Sequence, residues 1–255
     1  MDLGIKAVRL DFDEKTYKLY ADGIEVPSRV RKLEEMRDVL LNQNFLNSKN
    51  KDDILYYMFR AAGEEKNRAA FQTNNLLHEV TVMNNYDLGG EFNKTFGHYH
   101  PICKNNLSYP EIYEVIYGEV LYIMQKKCDD GHYDVKLVHA KAGDKVIMEP
   151  NYGHISVNIG KTLLIELDMR VNFEADYQSI KDVHGGAVYV TDKKNVIINQ
   201  NYKNVSITHT NAKKIRFLDA KKRLYDEFIA HPERFDFLND PELLLRRHDE
   251  QGLAS

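Results

Sequence analysis

The 255-residue chain has little cysteine and no long apolar run, and both absences exclude classes of protein. Two cysteines, Cys103 and Cys128, cannot build the framework of bridges on which small secreted domains depend. The opening residues MDLGIKAVRLDFDE hold no apolar segment of the signal-peptide kind, and no later run is long enough to span a bilayer. The sequence therefore predicts a cytoplasmic protein with no membrane partner.

A basic surface is missing as well. Lysine and arginine number 35 against 39 aspartates and glutamates, for a net charge of −4, and no helix-turn-helix with a basic recognition helix is evident. A nucleic-acid partner is therefore not expected. The hydrophobic fraction of 43% is enough for a full core in one large domain, or in one domain with an appendage.

Two stretches carry the residues with metal-binding chemistry, TFGHYHPICKNNLSYPEIYEVIYG and GDKVIMEPNYGHISVNIG. The first contains His98, His100 and Glu111, and the second contains His154. His98 and His100 are two residues apart, so on a strand both side chains leave the same face. Three imidazoles and a carboxylate suit one divalent ion, such as Fe, Mn, Ni, Cu or Zn, with positions left open for water or substrate.

The order of these residues resembles the two signature motifs of the cupin superfamily. The H-x-H pair is followed by Glu111 and Gly118, and then by G-x6-P-x2-G-H-x3-N over residues 143–158. The resemblance implies a double-stranded β-helix barrel that holds a metal through three histidines and a glutamate. The gap before Glu111 is longer than usual, and Gly143 stands one residue farther from Pro150. Extra loop residues cost little, because the entropy of loop closure grows slowly with length.

Within the cupins the chain is similar to the cupin-type glucose-6-phosphate isomerases, the archaeal class. The similarity extends from about Ala7 to Asn204. It is carried by segments in a fixed order: Thr81-Val82, Thr95-Phe96-Gly97-His98-Tyr99-His100, Glu111-Ile112-Tyr113, Pro150-Asn151-Tyr152-Gly153-His154, Val157-Asn158-Ile159-Gly160 and Asp176-Tyr177. The resemblance implies an enzyme of glycolysis and gluconeogenesis that interconverts glucose 6-phosphate and fructose 6-phosphate, and it favours a homodimer.

The same resemblance implies residues that touch the sugar phosphate. Thr81, Thr95 and Gly97 would contact the phosphate, and Tyr113 and Tyr177 would line the substrate. The alternative for Thr81 is a strand-forming threonine with no ligand.

Two further candidates come from their positions in the sequence. Tyr152 lies near His154 and could line the pocket, although packing of the turn explains it equally well. His184 follows the Asp176-Tyr177 block and is a candidate acid or base for the sugar ring, with an exposed loop histidine as the alternative.

Two chemical routes are open for the isomerisation. A cation on O1 and O2 would polarise the carbonyl and steady the developing charge. Glu111, as ligand, base or both, could relay a proton between the carbons through an enediolate. Alternatively a hydride shifts directly while Glu111 or a bound water moves only the hydroxyl proton. Other metal cupins, such as a mannose-6-phosphate isomerase or a dioxygenase, and a non-catalytic sugar-binding cupin are the competing functions.

The predicted fold is mainly β, in three parts. Residues 1–75 form an N-terminal strand and helices that pack on the barrel, residues 76–204 form the cupin barrel with the metal site, and residues 205–255 form a helical extension. Apolar spacing predicts helices from residue 28 to 40 and over 52–62, and polar composition predicts a loop over 64–75. From residue 76 the chain predicts short strands with turns between them, and after residue 213 helices limited by Pro232 and Pro241.

Overall fold

The computed structural model describes residues 1–193 and 195–249, which are mainly β, as predicted. Strands β1 to β17 are, in order, Leu10–Asp13, Lys18–Ala21, Ile24–Val26, Arg29–Lys32, Ile54–Arg60, Leu76–Met83, Ile102–Lys104, Leu107–Ser108, Glu111–Tyr117, Glu119–Lys127, Tyr133–Lys141, Lys145–Met148, Gly153–Asn158, Leu164–Val171, Val188–Val190, Val196–Ile198 and Val205–Asn211. Helices α1 to α4 are Glu64–Thr73, Gln178–Lys181, Leu224–Ala230 and Pro241–Asp249, and 3-10 turns are Leu33–Val39, Gln43–Ser48 and Pro232–Leu238. None of the described helices has both the length and the apolarity needed to cross a bilayer.

Two sheets face each other and hold the inner core between them. The larger sheet has six strands in the order β12-β9-β14-β6-β5-β4, and the smaller has four in the order β13-β10-β11-β17. Across the gap Tyr122 of β10 donates a hydrogen bond to Glu166 of β14 at 3.1 Å, and its ring lies 5.4 Å from that of Tyr113 on β9. This arrangement is the jelly roll expected of a double-stranded β-helix.

Successive side chains of β14 point to opposite faces of the sheet and so contribute to two different cores. Leu164 packs in the inner core, whereas Ile165, Leu167 and Met169 pack in an outer core on the opposite face of the six-stranded sheet. The residues between them, Glu166, Asp168 and Arg170, are buried although charged. Successive side chains of a strand leave opposite faces, so these three share the inner face with Leu164.

The C-terminal segment covers the outer core. Its buried aromatic residues, Tyr225, Phe228 and Phe235 among them, pack with Leu10 and Phe12 of the N-terminal strand. As predicted, α3 ends before Pro232 and α4 begins at Pro241. The predicted boundary at residue 205 coincides with the start of β17, a strand that the sequence did not predict, and residues 250–255 of the predicted extension lie outside the described residues.

Both predicted N-terminal helices are wrong in whole or in part. The segment from residue 28 begins as β4 and continues as the 3-10 turn Leu33–Val39, and residues 54–60 form β5. The run ILYYMFR is short and apolar on both faces, so periodicity cannot separate a buried strand from a helix. Pairing settles the outcome, because β5 lies between β4 and β6 and both neighbours satisfy its backbone.

The predicted loop over 64–75 is also wrong, because residues Glu64–Thr73 form α1. Its sequence EEKNRAAFQT is rich in good helix formers and has two acidic residues in the first turn. Phe71 is the apolar residue that it buries, so the segment shows no amphipathic pattern by which to recognise it.

Glu114 of β9 anchors the C-terminal segment to the sheet. Its carboxylate, 2% exposed, accepts hydrogen bonds from the Leu224 amide at 2.6 Å and from Arg223 Nη1 at 3.2 Å. We expect Glu114→Ala to lower the free energy of unfolding by about 2–4 kcal/mol, because it leaves buried donors unpaired. Urea denaturation measures this, with Glu25→Ala as the control, since Glu25 pairs with Lys18 in solvent. An equal loss of unfolding free energy in both variants would contradict the role of Glu114 as an anchor.

Candidate metal centre

Strand pairing brings the predicted metal ligands together. The segment around His98 runs antiparallel to β13, and the backbones of His98 and His154 exchange hydrogen bonds of 3.3 and 3.1 Å. Glu111 is the first residue of β9, in the facing six-stranded sheet. His100 follows His98 by two residues. The four side chains therefore converge from both sheets into the space between them.

The four ligand atoms lie within 4.8 Å of one another. Glu111 Oε2 is 3.2 Å from His100 Nε2 and 3.1 Å from His154 Nε2, and the Nε2 atoms of His98 and His100 are 3.1 Å apart. Although buried, Glu111 Oε2 has no hydrogen-bond partner in the described part of the chain. A convergent set of imidazole nitrogens around an unpaired carboxylate oxygen fits a divalent metal ion.

Neighbouring groups orient this cluster. His100 Nδ1 lies 2.7 Å from the carbonyl oxygen of Tyr109, to which it donates, so Nε2 is left as the ligand atom. Arg170 Nε is 3.6 Å from Glu111 Oε1, on the far side of the carboxylate from the histidines. These contacts orient two of the four side chains, His100 and Glu111, toward the centre of the cluster.

The surroundings also set the charge states. Burial, with the nearby His154 and His100, holds the pKa of His98 well below its ordinary value, and burial lowers the pKa of His154. Burial opposes ionisation of Glu111, but the neighbouring His100 and His154 outweigh it and keep the pKa of that carboxyl well below its usual range. At neutral pH His98 and His154 are thus neutral and the carboxylate is charged, the states that metal ligation requires.

Gly97 allows the histidine segment to lie against β13. Its φ is +83°, and a Cβ at this position would lie 2.5 Å from Cγ1 of Ile155. Any other residue would push the segment away from β13 and separate His98 from His154.

A cavity of about 330 Å³ opens beside the cluster. Its walls include the five residues that the family resemblance assigned to the phosphate and the sugar: Thr81, Thr95, Gly97, Tyr113 and Tyr177. The Tyr113 hydroxyl lies 3.2 Å from His154 Nε2, and the Tyr177 ring lies 5.2 Å from that of His98.

The structure does not bring Tyr152 or His184 to this cavity. Tyr152 lies in the turn before β13, and its hydroxyl donates to Asp134 of β11, two strands away in the smaller sheet, and not into the cavity. His184 follows α2, where its carbonyl oxygen accepts from Tyr189 and its Nδ1 lies 3.4 Å from Gln43. The sequence-based placement of both residues in the pocket is wrong.

Sequence reasoning missed several charged residues of the cavity wall, namely Arg29, Arg31, Arg60, Glu79, Glu166, Asp168 and Arg170. Burial raises the pKa of Glu166 to about 7 and that of Asp168 well above its ordinary value. A signal for three of them was present, because LIELDMRV places a charge at every second position of an otherwise apolar strand. Such charges face an enclosed polar space when the other face is core.

Two facing β-sheets with three histidines and a glutamate between them define a cupin with a candidate metal centre. The family model described as "Glucose-6-phosphate isomerase (GPI)" matches residues 30–206, well over half of the chain. The chain belongs to the glucose-6-phosphate isomerase family. The family is the one that the sequence motifs resemble. No curated protein matches the chain.

Solved structures of other proteins match parts of the chain. Oxalate oxidase is 15% identical over 45% of this chain and 49% of its own, with a TM-score of 0.31. A mutant of Bacillus subtilis oxalate decarboxylase is 19% identical over 52% and 30%, with a TM-score of 0.34. Procruciferin, an 11S globulin from Brassica napus, is 11% identical over 48% and 26%, also with a TM-score of 0.34. The chain spans about half or less of the length of these proteins.

Proposed function

We propose that the chain interconverts glucose 6-phosphate and fructose 6-phosphate in the cavity between the two sheets, as an isomerase of the cupin type. His98, His100, Glu111 and His154 would hold one divalent ion, and the convergence of their ligand atoms within 4.8 Å carries the proposal. When bound, the ion would polarise the substrate carbonyl and stabilise negative charge on its oxygens. The candidate ions are Fe, Mn, Ni and Zn.

Glu111 is the residue we assign to proton transfer. Its carboxylate is 1% exposed and borders the cavity. A charged carboxylate shielded from water can take a proton from the substrate and return it to the neighbouring atom. Arg170 beside Oε1 keeps the side chain oriented while Oε2 faces the histidines. In the enediolate route the proton comes from carbon, and in the hydride route from a hydroxyl.

The phosphate is assigned to the part of the cavity around Arg31, Tyr56 and Thr95. The Tyr56 hydroxyl accepts from Arg31 Nε and from the Phe96 amide, each at 3.2 Å, so its own proton remains to be donated. Thr95 Oγ1 accepts from the Ser156 amide at 2.9 Å and likewise keeps its proton. A guanidinium and two hydroxyl donors, with Thr81 and Gly97 beside them, suit a phosphate dianion.

Replacing Arg31 by glutamine tests the phosphate assignment. We expect KM for fructose 6-phosphate to rise about 10- to 100-fold with little change in kcat, because a charged hydrogen bond to the phosphate is lost in the ground state and the transition state alike. Arg37→Gln is the matched control, since Arg37 pairs with Glu34 outside the cavity. An unchanged KM in Arg31→Gln would remove the residue from the phosphate site.

Several finer features of the protein are predictions. Cytoplasmic location, homodimeric assembly and the division at residues 75 and 204 are testable by fractionation, sedimentation and limited proteolysis. Assays with mannose 6-phosphate separate the proposed reaction from that of a mannose-6-phosphate isomerase. Activity under strict anoxia excludes a dioxygenase, and turnover itself excludes a non-catalytic sugar-binding protein.

A further inference from the structure

A row of polar side chains crosses the inner face of the six-stranded sheet next to the metal cluster. In register, Arg60 of β5 pairs with Glu79 of β6, Glu79 with Asp168 of β14, and Asp168 with Tyr113 of β9. All of them line the same cavity. Cross-strand neighbours on one face lie about 5 Å apart, so the row is a continuous polar wall.

Asp168 is the member of this row with a carboxyl oxygen that receives no hydrogen bond from the described residues. The residue is 4% exposed, and its Oδ2 has no hydrogen-bond partner among the described residues. Its carboxylate neighbours, Glu79 and Glu111, are hydrogen-bond acceptors as well, and Arg170 is the cation close by. Glu79 is paired with Arg60 at 3.3 Å. A buried carboxyl oxygen without a donor destabilises the fold, which points to a donor supplied by a ligand.

Glu166 continues the acidic wall one row away. It pairs in register with Thr81, is 1% exposed, and accepts a hydrogen bond from Tyr122 at 3.1 Å. Its remaining acceptor positions border the cavity. Asp168 and Glu166 thus offer acceptors on the same strand, two residues apart and on the same face.

We propose that Asp168, assisted by Glu166, accepts hydrogen bonds from the hydroxyl groups along the carbon chain of the substrate and so selects polyhydroxylated sugar phosphates. This inference rests on the proposed function and adds to it the residues that recognise the sugar. A site whose buried groups need a substrate hydroxyl strongly rejects analogues that lack it, because the buried groups then stay unpaired. The ligand class is an open-chain polyol phosphate, whose hydroxyls are the donors that Asp168 lacks.

The test uses sorbitol 6-phosphate, a polyol phosphate that cannot isomerise, with binding measured by calorimetry on the full chain. In Asp168→Leu we expect affinity about 10- to 100-fold weaker than in the native protein, the effect of leaving buried substrate hydroxyls without their hydrogen-bond acceptor. Affinity for inorganic phosphate should not change, and the melting temperature should stay or rise because an unpaired buried carboxyl is removed. Asp168→Asn should recover part of the affinity, and Glu166→Gln should weaken it less.

The exposed Asp129→Leu serves as the control and should bind as the native protein does. Native affinity in Asp168→Leu would overturn the inference, and so would a parallel fall in phosphate affinity and melting temperature, which indicates a structural role. If the native protein converts fructose 6-phosphate while Asp168→Leu binds normally, the inference alone fails. If the native protein neither converts fructose 6-phosphate nor binds sorbitol 6-phosphate, the proposed function fails with it.

Discussion

Glu111→Gln is expected to lower kcat for fructose 6-phosphate by about 10² to 10⁴-fold, the usual contribution of general acid-base catalysis. Glutamine has nearly the same shape but cannot take up a proton, and its amide is a weaker metal ligand than a carboxylate. Because glutamine fills the same space beside His100 and His154, the change should leave the pairing of the strands intact. Steady-state kinetics, with circular dichroism to verify the fold, measure the effect.

The metal content of the Glu111→Gln variant decides how its loss of turnover is interpreted. If Glu111→Gln retains the ion and loses turnover, the carboxylate acts in proton transfer, and if both are lost together, it acts first as a ligand. Glu149→Gln is the control, because Glu149 pairs with Lys136 away from the histidines. Near-native turnover in Glu111→Gln would leave this glutamate without a catalytic role.

His154→Ala is expected to abolish the stabilisation that a divalent ion gives the native protein. A ligand at about 1,000 times its dissociation constant stabilises a fold by about 4 kcal/mol. With one imidazole removed, Glu111 and the other two histidines hold the ion far more weakly, and the metal-dependent rise in melting temperature should disappear. Differential scanning calorimetry with and without the ion measures it.

His139→Ala is the matched control for this experiment, because His139 pairs with Glu119 on the outer side of the smaller sheet. It should keep the full metal-dependent rise. A rise of native size in His154→Ala would mean that the ion binds elsewhere on the protein.

The sequence was sufficient for the centre of the site because motif spacing and strand geometry act together there. His98 and His100 had to share a face, the His98 segment pairs with β13, and Glu111 begins a strand of the facing sheet. The long gap before Glu111 did not matter, since it forms the short hairpin β7-β8 and returns the chain to the start of β9. Their convergence in the structure follows from local rules that the sequence carries.

The rest of the site depends on packing that short patterns do not encode. Arg31 and Tyr56 were missed because β4 and β5 were interpreted as helices, and only the pairing of those strands turns both residues toward the cavity. Tyr152 shows the reverse error, because it lies two residues from His154 along the chain but does not line the cavity. The charges of β14 were visible as an alternating pattern, but their meaning required knowing which face was enclosed.

Metal removal and restoration tests the central claim most directly. The purified protein is stripped with a chelator, its metal content is measured, and fructose 6-phosphate conversion is followed before and after adding single divalent ions. A metal-dependent isomerase should be inactive when stripped and should recover in proportion to occupancy, with full activity at one ion per chain. Full activity in protein shown to contain no metal would contradict the assignment of His98, His100, Glu111 and His154 as the catalytic centre.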